Sequence, residues 1–416
     1  MRACGYALAA LLAGASPLAQ AMTLDEAIAA AMAHAPAIAA ARADADAADA
    51  QVDVARGHGL PTATLSGAIG VGRLDPKNFF GLGGANVTPR AAQVTIEQPL
   101  FAGGRVLAGI AQAKAGSEAA HAGEEATRSQ MVAAVAQAYG DVLTATMMVD
   151  LYRQFVGQMQ EIQRQARLRF KAGESPSTDV SQAASRLAEA QAAQAQADGM
   201  LVSARAHFTN LTGLPPDDLS PLPVNPVLPE TLEDAMDQAR QHSPGLLQAE
   251  AGLRAAQAAA KGARAERLPT VGAFAEGAMV RDQFFPDYRA DSATVGLRAR
   301  WQLLNPAIWA QVKASDSAVR AAEARARAAR LQVEEGVIAA FQGVRTAGLV
   351  EAAAAQQAAA AAQARDSVRA EVRVGMKPQL DLLNAEREAT AAAAGEARAR
   401  TDRIVAAYRL LAFIGR

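Results

Sequence analysis

The feature that most constrains this chain is an internal repeat, because a duplicated sequence predicts two copies of one structural unit. Residues 23–27 (Thr-Leu-Asp-Glu-Ala) return as residues 231–235 (Thr-Leu-Glu-Asp-Ala), at an offset of 231 − 23 = 208. Residues 34–36 (His-Ala-Pro) return as residues 242–244 (His-Ser-Pro) at the same offset. Farther along, an offset of 375 − 173 = 202 relates glycine, proline and aspartate positions: Gly173, Pro176 and Asp179 correspond to Gly375, Pro378 and Asp381.

The repeat divides the 416-residue chain into two halves. Chance similarity between two alanine-rich helices does not account for the match, because proline, glycine, histidine and aspartate recur in a fixed order. We therefore predict a first repeat at residues 22–213 and a second at residues 231–416. A proline-rich linker at residues 214–230 joins them.

The first 21 residues predict a secretory signal peptide. Arg2 supplies a positive charge, and residues 7–15 form a short apolar segment. Residues 19–21 (Ala-Gln-Ala) match a small-x-small cleavage site, so the mature chain is expected to start at Met22. The competing interpretation is an ordinary buried N-terminal helix. Cys4 is the only cysteine, so we expect a mature chain without disulfides, thiolate metal sites or a lipid-anchored cysteine.

Helices are predicted for most of each half. Each half begins with an alanine-rich helix, Leu24–Arg56 or Leu232–Arg264, with Thr23 or Thr231 as its N-cap. Four longer helices follow in two pairs, each pair joined by a glycine turn: Val106–Lys171 with a partner ending at Gly213, and Ala307–Arg373 with a partner ending at Gly415. A 66-residue helix at about 1.5 Å per residue spans roughly 100 Å. Apolar spacings of three and four within it predict a coiled-coil seam.

Two strand-like stretches precede the long helices in each half. Apolar and polar residues alternate in four stretches: residues 63–72, 94–97, 271–281 and 293–303. A stretch of about ten residues suits a tilted crossing of a bilayer, although a soluble sheet buried on one face has the same pattern. Arg298 and Arg300 lie on the polar side of the last stretch and are predicted to face the lumen of a barrel.

Four strands do not close a membrane barrel, since the smallest such barrels have about eight. If these strands span a membrane, several chains must share one barrel, because open sheet edges are costly in lipid. Two chains would supply eight strands and three would supply twelve. No stretch of the mature chain approaches about 18 consecutive apolar residues free of charge, so no transmembrane helix is expected.

Other classes of function lack support in the sequence. The 41 basic and 42 acidic residues nearly balance, which argues against wholesale nucleic-acid binding. The five histidines have no metal-ligand spacing, and His34 and His242 precede prolines in a way that suggests helix bends. No nucleophile elbow, phosphate loop or carboxylate pair is present, so we expect neither an enzyme nor a bound cofactor or metal. The alternative to a membrane barrel shared by several chains is a protein of a different class, a periplasmic coiled-coil scaffold or adaptor.

Several segments resemble the TolC-like outer-membrane efflux proteins. They are residues 98–105 (Gln-Pro-Leu-Phe-Ala-Gly-Gly-Arg), Ala138-Tyr139, the turn at residues 173–179, and residues 406–415. With the duplication, the resemblance covers nearly all of residues 22–416. The second half departs from the pattern, because residues 301–306 (Trp-Gln-Leu-Leu-Asn-Pro) replace the glycine-rich exit from the strands.

The resemblance implies a mainly α chain with a small β part. It implies a homotrimer, with one shared 12-stranded barrel in the outer-membrane lipid of a Gram-negative bacterium and a coiled-coil helical barrel in the periplasm. The implied function is the exit duct of a tripartite efflux or type I secretion system. Its implied partners are a periplasmic adaptor (membrane fusion) protein and an inner-membrane RND, ABC or MFS pump. Drugs, metal cations and secreted proteins remain open as substrates.

The resemblance also implies site residues near the two glycine turns. Val374, Gly375 and Met376 resemble the adaptor-docking motif, and Gly173 lies in a weaker copy, although either glycine also suits a plain helix C-cap. Asp381, with Asn384 one turn later, stands where the family places a pore constriction. An alternative role for Asp381, with equal support, is that of an exposed aspartate favoured by the dipole at a helix N-terminus. Tip contacts between helices are implied for Asp179, with Lys377 as its suggested partner.

Overall fold

The structure, a computed structural model, describes residues 21–75, 84–222 and 226–415. The predicted signal peptide before Ala21 and residues 223–225 of the predicted linker lie outside the described residues. The described chain is mostly helical. Its helices are α1 (Leu24–His34), α2 (Pro36–Gly57), α3 (Arg105–Lys171), α4 (Ser177–Thr212), α5 (Leu232–His242), α6 (Pro244–Ala265), α7 (Pro306–Arg373) and α8 (Gln379–Ile414).

The strands lie between the short and the long helices of each half. They are β1 (Thr62–Ile69), β2 (Gly72–Leu74), β3 (Ala85–Val87), β4 (Arg90–Phe101), β5 (Thr270–Arg281) and β6 (Arg289–Arg300). β2 and β3 form a short antiparallel pair that the sequence did not predict. Apart from β2 and β3, the two halves have the same order of elements: two short helices, a pair of longer strands and two long helices.

The long helices confirm the prediction to within one residue at their starts, and α3 has 67 residues. The single helix predicted before each strand pair is wrong, because the chain breaks it at Ala35 and Ser243. The residue after each break is a proline, which disfavours helical geometry in the residue before it and lacks an amide hydrogen. The predicted N-caps are confirmed: the hydroxyls of Thr23 and Thr231 accept hydrogen bonds from backbone amides three residues on.

Four strands form one antiparallel sheet in the order β1-β4-β5-β6. The pairing of β4 with β5 joins the two repeats, which the sequence did not specify. The last strand ends at Arg300, three residues before the predicted end, where its pairing with Thr270 stops.

The register places the alternating residues on two distinct faces. One face is polar across all four strands and carries Thr64, Thr95, Glu276 and Thr294, which are cross-strand neighbours in that order. The other face is apolar, with residues such as Leu65, Val94 and Val295, and it remains exposed within the chain. Phe274, which blurred the alternation, lies on the polar face beneath the guanidinium of Arg298.

Contacts divide the chain into two compact units, and each unit takes segments from both repeats. One unit comprises the described residues within Met1–Ala35, Gln130–Pro229 and Ala339–Ala412, and the other comprises those within Pro36–Ser129, Glu230–Ile338 and Phe413–Arg416. The sheet belongs to the second unit. A repeat of the sequence is therefore not a compact unit of the fold.

The first unit has a core around Tyr139, which is fully buried. Its ring contacts Phe208 edge to face, with the centroids 6.2 Å apart. Its hydroxyl lies 2.7 Å from the carbonyl oxygen of Met22 and 2.6 Å from that of Ser220, and its single hydrogen is shared between these two acceptors. Since Ser220 belongs to the predicted linker, this part of the linker is attached to the core.

One described helix, α3, contains an 18-residue window long and apolar enough to cross a membrane. The sequence-based expectation excluded such helices because it required an uninterrupted apolar run. Half of the window is buried inside the protein, and the core helix of a soluble protein meets the same criterion. Its composition therefore does not by itself place α3 in a bilayer.

Candidate functional site

The candidate site lies at the turns that join α3 to α4 and α7 to α8. Gly173 and Gly375 have φ angles of +75° and +79°, the left-handed region that favours glycine. In each turn two backbone hydrogen bonds close the helix end. In the first turn, Glu174 N–H donates to Arg169 O and Gly173 N–H donates to Phe170 O. In the second turn, Met376 N–H donates to Glu371 O and Gly375 N–H donates to Val372 O. Both glycines are therefore helix C-caps of the same type.

The residues flanking the two glycines differ in polarity. Val374 and Met376 are 69% and 76% exposed beside Gly375. Ala172 and Glu174 are exposed beside Gly173. Only the second turn thus presents two large apolar side chains to the surroundings of the chain. An exposed apolar pair of this kind is a candidate contact surface for another protein.

The predicted gate residues lie at the start of α8. Asp381 is half-buried in the first turn of that helix, and Asn384 is exposed one turn later. Asp179 occupies the corresponding first turn of α4 and is also half-buried. The suggested pairing of Lys377 with Asp179 does not occur within the chain. Lys377 Nζ instead lies 2.9 Å from Glu371 Oε2, and this hydrogen bond raises the pKa of the lysine above its ordinary value.

The sequence prediction did not include Glu386, although its carboxylate is the most deeply buried charge near these turns. Glu386 is 2% exposed and pairs with the guanidinium of Arg369, which joins α8 to α7. Both residues line a groove of about 650 Å³ that also includes Glu161 of α3. Spacing could have indicated the glutamate, because Leu382, Leu383 and Ala389 share its buried helix face.

The predicted lumen arginines lie on the polar face of the sheet. Arg298 Nη1 lies 3.0 Å from Glu97 Oε1, and its other terminal nitrogen lies 3.9 Å from Glu276 Oε2. Gln93 donates a hydrogen bond of 3.1 Å to the same glutamate. Arg300 is the cross-strand partner of Thr270 at the end of the sheet. Charged side chains of opposite sign thus connect three strands on one face.

Comparisons with known proteins agree with this arrangement. The sequence model of the family described as "Outer membrane efflux protein" matches residues 27–214 and 235–416. The chain is 28% identical over 374 residues to Outer membrane efflux protein BepC of Brucella suis biovar 1, which covers 88% of this chain and 80% of that protein.

Solved structures share the fold. A membrane protein from Pseudomonas aeruginosa superposes with a TM-score of 0.84 at 20% identity, covering 94% of this chain and 90% of that one. The Campylobacter jejuni CmeC outer membrane channel superposes with a TM-score of 0.83 at 14% identity, covering 94% of this chain and 85% of that one. At these identities the likeness is one of architecture.

Proposed function

Because the chain belongs to the outer membrane efflux protein family, we propose that it is the exit duct of a tripartite efflux or type I secretion system. The protein is an outer-membrane efflux channel of a Gram-negative bacterium, and its long helices lie in the periplasm. One observation supports this most strongly: the four-stranded sheet has one mostly polar face, which extends across all four strands, and one exposed apolar face. A membrane strand needs that division between lumen and lipid.

The working assembly that we propose is a homotrimer. In the described chain, the outer edges of β1 and β6 have no strand partner in the four-stranded sheet. Unpaired edges are costly in lipid, and three copies would pair them in one barrel of twelve strands with Arg298 and Arg300 facing the lumen. Heat-sensitive trimer bands in mild detergent are the expected result. A mature chain that stays soluble without detergent would contradict both the trimer and the channel.

The adaptor-docking surface that we propose is the α7–α8 turn, with a minor contribution from Gly173. Its support is the exposed apolar pair Val374 and Met376 around Gly375. Photocrosslinkers placed at positions 376 and 174 are expected to capture a periplasmic adaptor far more efficiently from position 376. Equal capture from both positions would count against the assignment of the second turn.

The gate that we propose is a ring of Asp381 side chains around the pore axis, with Asn384 beside it. Three like charges would attract cations, so Asp381→Ala is expected to lose the cation preference of the channel in single-channel recordings. Asp179→Ala is the matched control, because it removes the equivalent aspartate from the other hairpin. Unchanged selectivity in the Asp381 variant would leave the helix N-terminal role as its explanation.

The scaffold alternative is not favoured. A periplasmic coiled coil has no use for a sheet with an exposed apolar face, and the family is one of efflux channels. We propose passive conduction without catalysis, cofactor or metal. The substrate is set by the partners of the duct. The partner that matters most is the inner-membrane pump, of the RND, ABC or MFS class.

A further inference from the structure

The two arginines near the end of β6 differ in how far their charges are neutralised. Arg298 pairs with Glu97 at 3.0 Å and with Glu276 at 3.9 Å. Its guanidinium carbon also lies 4.5 Å from the centroid of the Phe274 ring. Arg300 lies two residues on along the same face and is exposed, and it has no carboxylate at ion-pair distance among the described residues. The positive charge of Arg300 is therefore left without a partner in the described chain.

A third arginine is contributed by the first residue of α3. Arg105 follows Gly103 and Gly104, whose φ angles of +62° and +87° lie in the left-handed region. A Cβ on Gly103 would lie 2.6 Å from Ala265 O, so this turn depends on glycine. Arg105 is exposed, and in the part of the chain that the structure describes it forms no ion pair. The N-terminus of the 67-residue helix adds partial positive charge beside it.

These three arginines line one recess at the polar face of the sheet, where the strands join the helices. The described side chains that line it include three arginines and one carboxylate, that of Glu97, which gives a net charge of 3 − 1 = +2. Because Glu97 pairs with Arg298, the remaining charge belongs to Arg105 and Arg300. A concave site with uncompensated guanidinium groups is suited to an anion.

The size of the recess limits the kind of anion. Its volume of about 250 Å³ is roughly eight times the 30 Å³ or so that a water molecule occupies in the liquid. It is smaller than the roughly 300 Å³ at which pockets for drug-sized ligands begin. The recess therefore has room for a carboxylate or phosphate group with a few attached carbon atoms, and a larger molecule would enter it by one end.

We propose that this surface, which we call the arginine recess, binds solutes that carry a carboxylate or phosphate group as they pass through the channel. The planar guanidinium groups of Arg105 and Arg300 hold the oxyanion by parallel hydrogen bonds, and Arg298 stays paired with Glu97. In three copies of the chain the recess would occur three times around the lumen. The inference rests on the proposed function, since the polar face must line a lumen for passing solutes to meet it.

The test uses the full-length protein in planar bilayers, with citrate as the anionic probe and glucose as an uncharged solute of similar size. In about 0.1 M potassium chloride, where charges act over roughly 10 Å, citrate is expected to reduce the single-channel current in a saturable way. Glucose at the same concentration is expected to leave the current unchanged. In about 1 M salt, where this range falls to roughly 3 Å, the effect of citrate should largely disappear.

Variants assign the effect of citrate to named side chains. Arg105→Gln and Arg300→Gln are each expected to raise the half-saturating citrate concentration about fivefold, the effect of one exposed ion pair. Glu97→Gln is expected to lower it, because Arg298 then loses its partner and can bind the probe. Arg289→Gln is the matched control, since this exposed arginine lies at the opposite end of β6 and on the apolar face, and it should leave the value unchanged.

Current recorded before citrate is added establishes separately whether each protein forms channels. Conducting wild-type channels that citrate does not affect would overturn the arginine recess and leave the proposed function intact. Equal half-saturating concentrations in the Arg105, Arg300 and Arg289 variants would also overturn it, because citrate would then bind elsewhere in the channel. Absence of any conductance in the wild-type protein would overturn the proposed function, and the recess with it, because no solute would then pass the site.

Discussion

The α3–α4 and α7–α8 hairpins have the same backbone turn but different side-chain contacts. Gly173 and Gly375 share one left-handed conformation and one pattern of backbone hydrogen bonds. The buried pair of Glu386 with Arg369 belongs to the second hairpin only, because the position 202 residues before Glu386 is Ala184. The comparison indicates that backbone geometry survives duplication while polar contacts diverge.

The two repeats also differ farther along their long helices. Tyr139 of α3 corresponds to Phe341 of α7 at the offset of 202. Tyr139 is fully buried, and its hydroxyl is bonded to two backbone carbonyls, whereas Phe341 is only half-buried and has no hydroxyl to donate. The first repeat therefore holds the linker, and the second repeat holds the buried ion pair near its turn.

The largest expected effect comes from making the second hairpin resemble the first. Glu386→Ala would leave Arg369 half-buried and unpaired, which we expect to destabilise the hairpin by about 2 kcal/mol, since the arginine keeps some access to water. Faster hydrogen exchange at the start of α8 would measure this loss.

Glu189→Ala is its control, because the carboxylate of Glu189 is itself exposed in its pairs with Arg186 at 2.6 Å and Arg387 at 4.0 Å. The double variant Arg369→Met with Glu386→Leu is expected to recover most of the protection. Equal exchange in the Glu386 and Glu189 variants would show that burial of the pair contributes nothing.

The next effect concerns the linker contact of the first repeat. Tyr139→Phe removes the donor from two carbonyls inside the core, a loss that we expect to cost about 1 to 2 kcal/mol. Thermal unfolding followed by circular dichroism in detergent would measure it. Phe341→Tyr should leave the melting temperature nearly unchanged, because that side chain is half-buried and its new hydroxyl can reach water.

The same tyrosine predicts a pH dependence. Burial raises the pKa of Tyr139 to about 12, from an ordinary value of 10.0. The neutral phenol is favoured by folding, so its contribution is complete below pH 10 and is lost as the pH rises towards and past 12. Between these values the wild-type protein should lose more stability than Tyr139→Phe. Burial also raises the pKa of Tyr408. Both proteins contain this tyrosine, so its contribution cancels in the difference between their stabilities.

A smaller effect is expected from replacing the glycine of either turn, and it tests whether the two turns have the same backbone conformation. Gly173→Ala and Gly375→Ala each force a Cβ into left-handed geometry, at a cost of about 1 kcal/mol in either hairpin. Gly157→Ala within α3 is the control and is expected to stabilise slightly, because alanine is the better helix former there. Thermal unfolding that differed clearly between the two turn variants would contradict the shared backbone.

The smallest effect is expected from the ion pair beside the second glycine. At their 2.9 Å contact Lys377 is exposed and Glu371 is partly exposed, and Ser175 is the residue at the corresponding position of the first turn. Lys377→Met should not change the melting temperature measurably, because water screens exposed pairs. A clear loss would mean that this contact contributes to the turn in the assembled protein.

Local features of the fold were accessible from the sequence because they depend on neighbouring residues. Helix lengths, the caps Thr23 and Thr231, and the alternation of the strands followed from spacing and residue type. The break at Ala35 was underestimated, since proline is tolerated at a helix start and the residues on both sides favour helix. The turn residues were located correctly, and the roles assigned to them remain predictions.

Contacts between distant segments were not accessible in the same way. The pairing of β4 with β5 joins residues that are between 271 − 101 = 170 and 281 − 90 = 191 positions apart, and alternation specifies a face but not a neighbour. Glutamate is usually exposed on a helix, so the apolar neighbours of Glu386 in α8 indicate a buried position, but only the packing of α8 against α7 shows that its partner is Arg369. The linker contact of Ser220 depends on where the core places the hydroxyl of Tyr139.

By itself the sequence determined a duplicated chain of long helices with too few strands to close a barrel, because periodicity and repetition are local properties. Only the tertiary structure decided which strands pair across the repeats, which charges are buried and which arginines form ion pairs. Those properties depend on the distances between segments far apart in the chain. A one-dimensional pattern does not contain them.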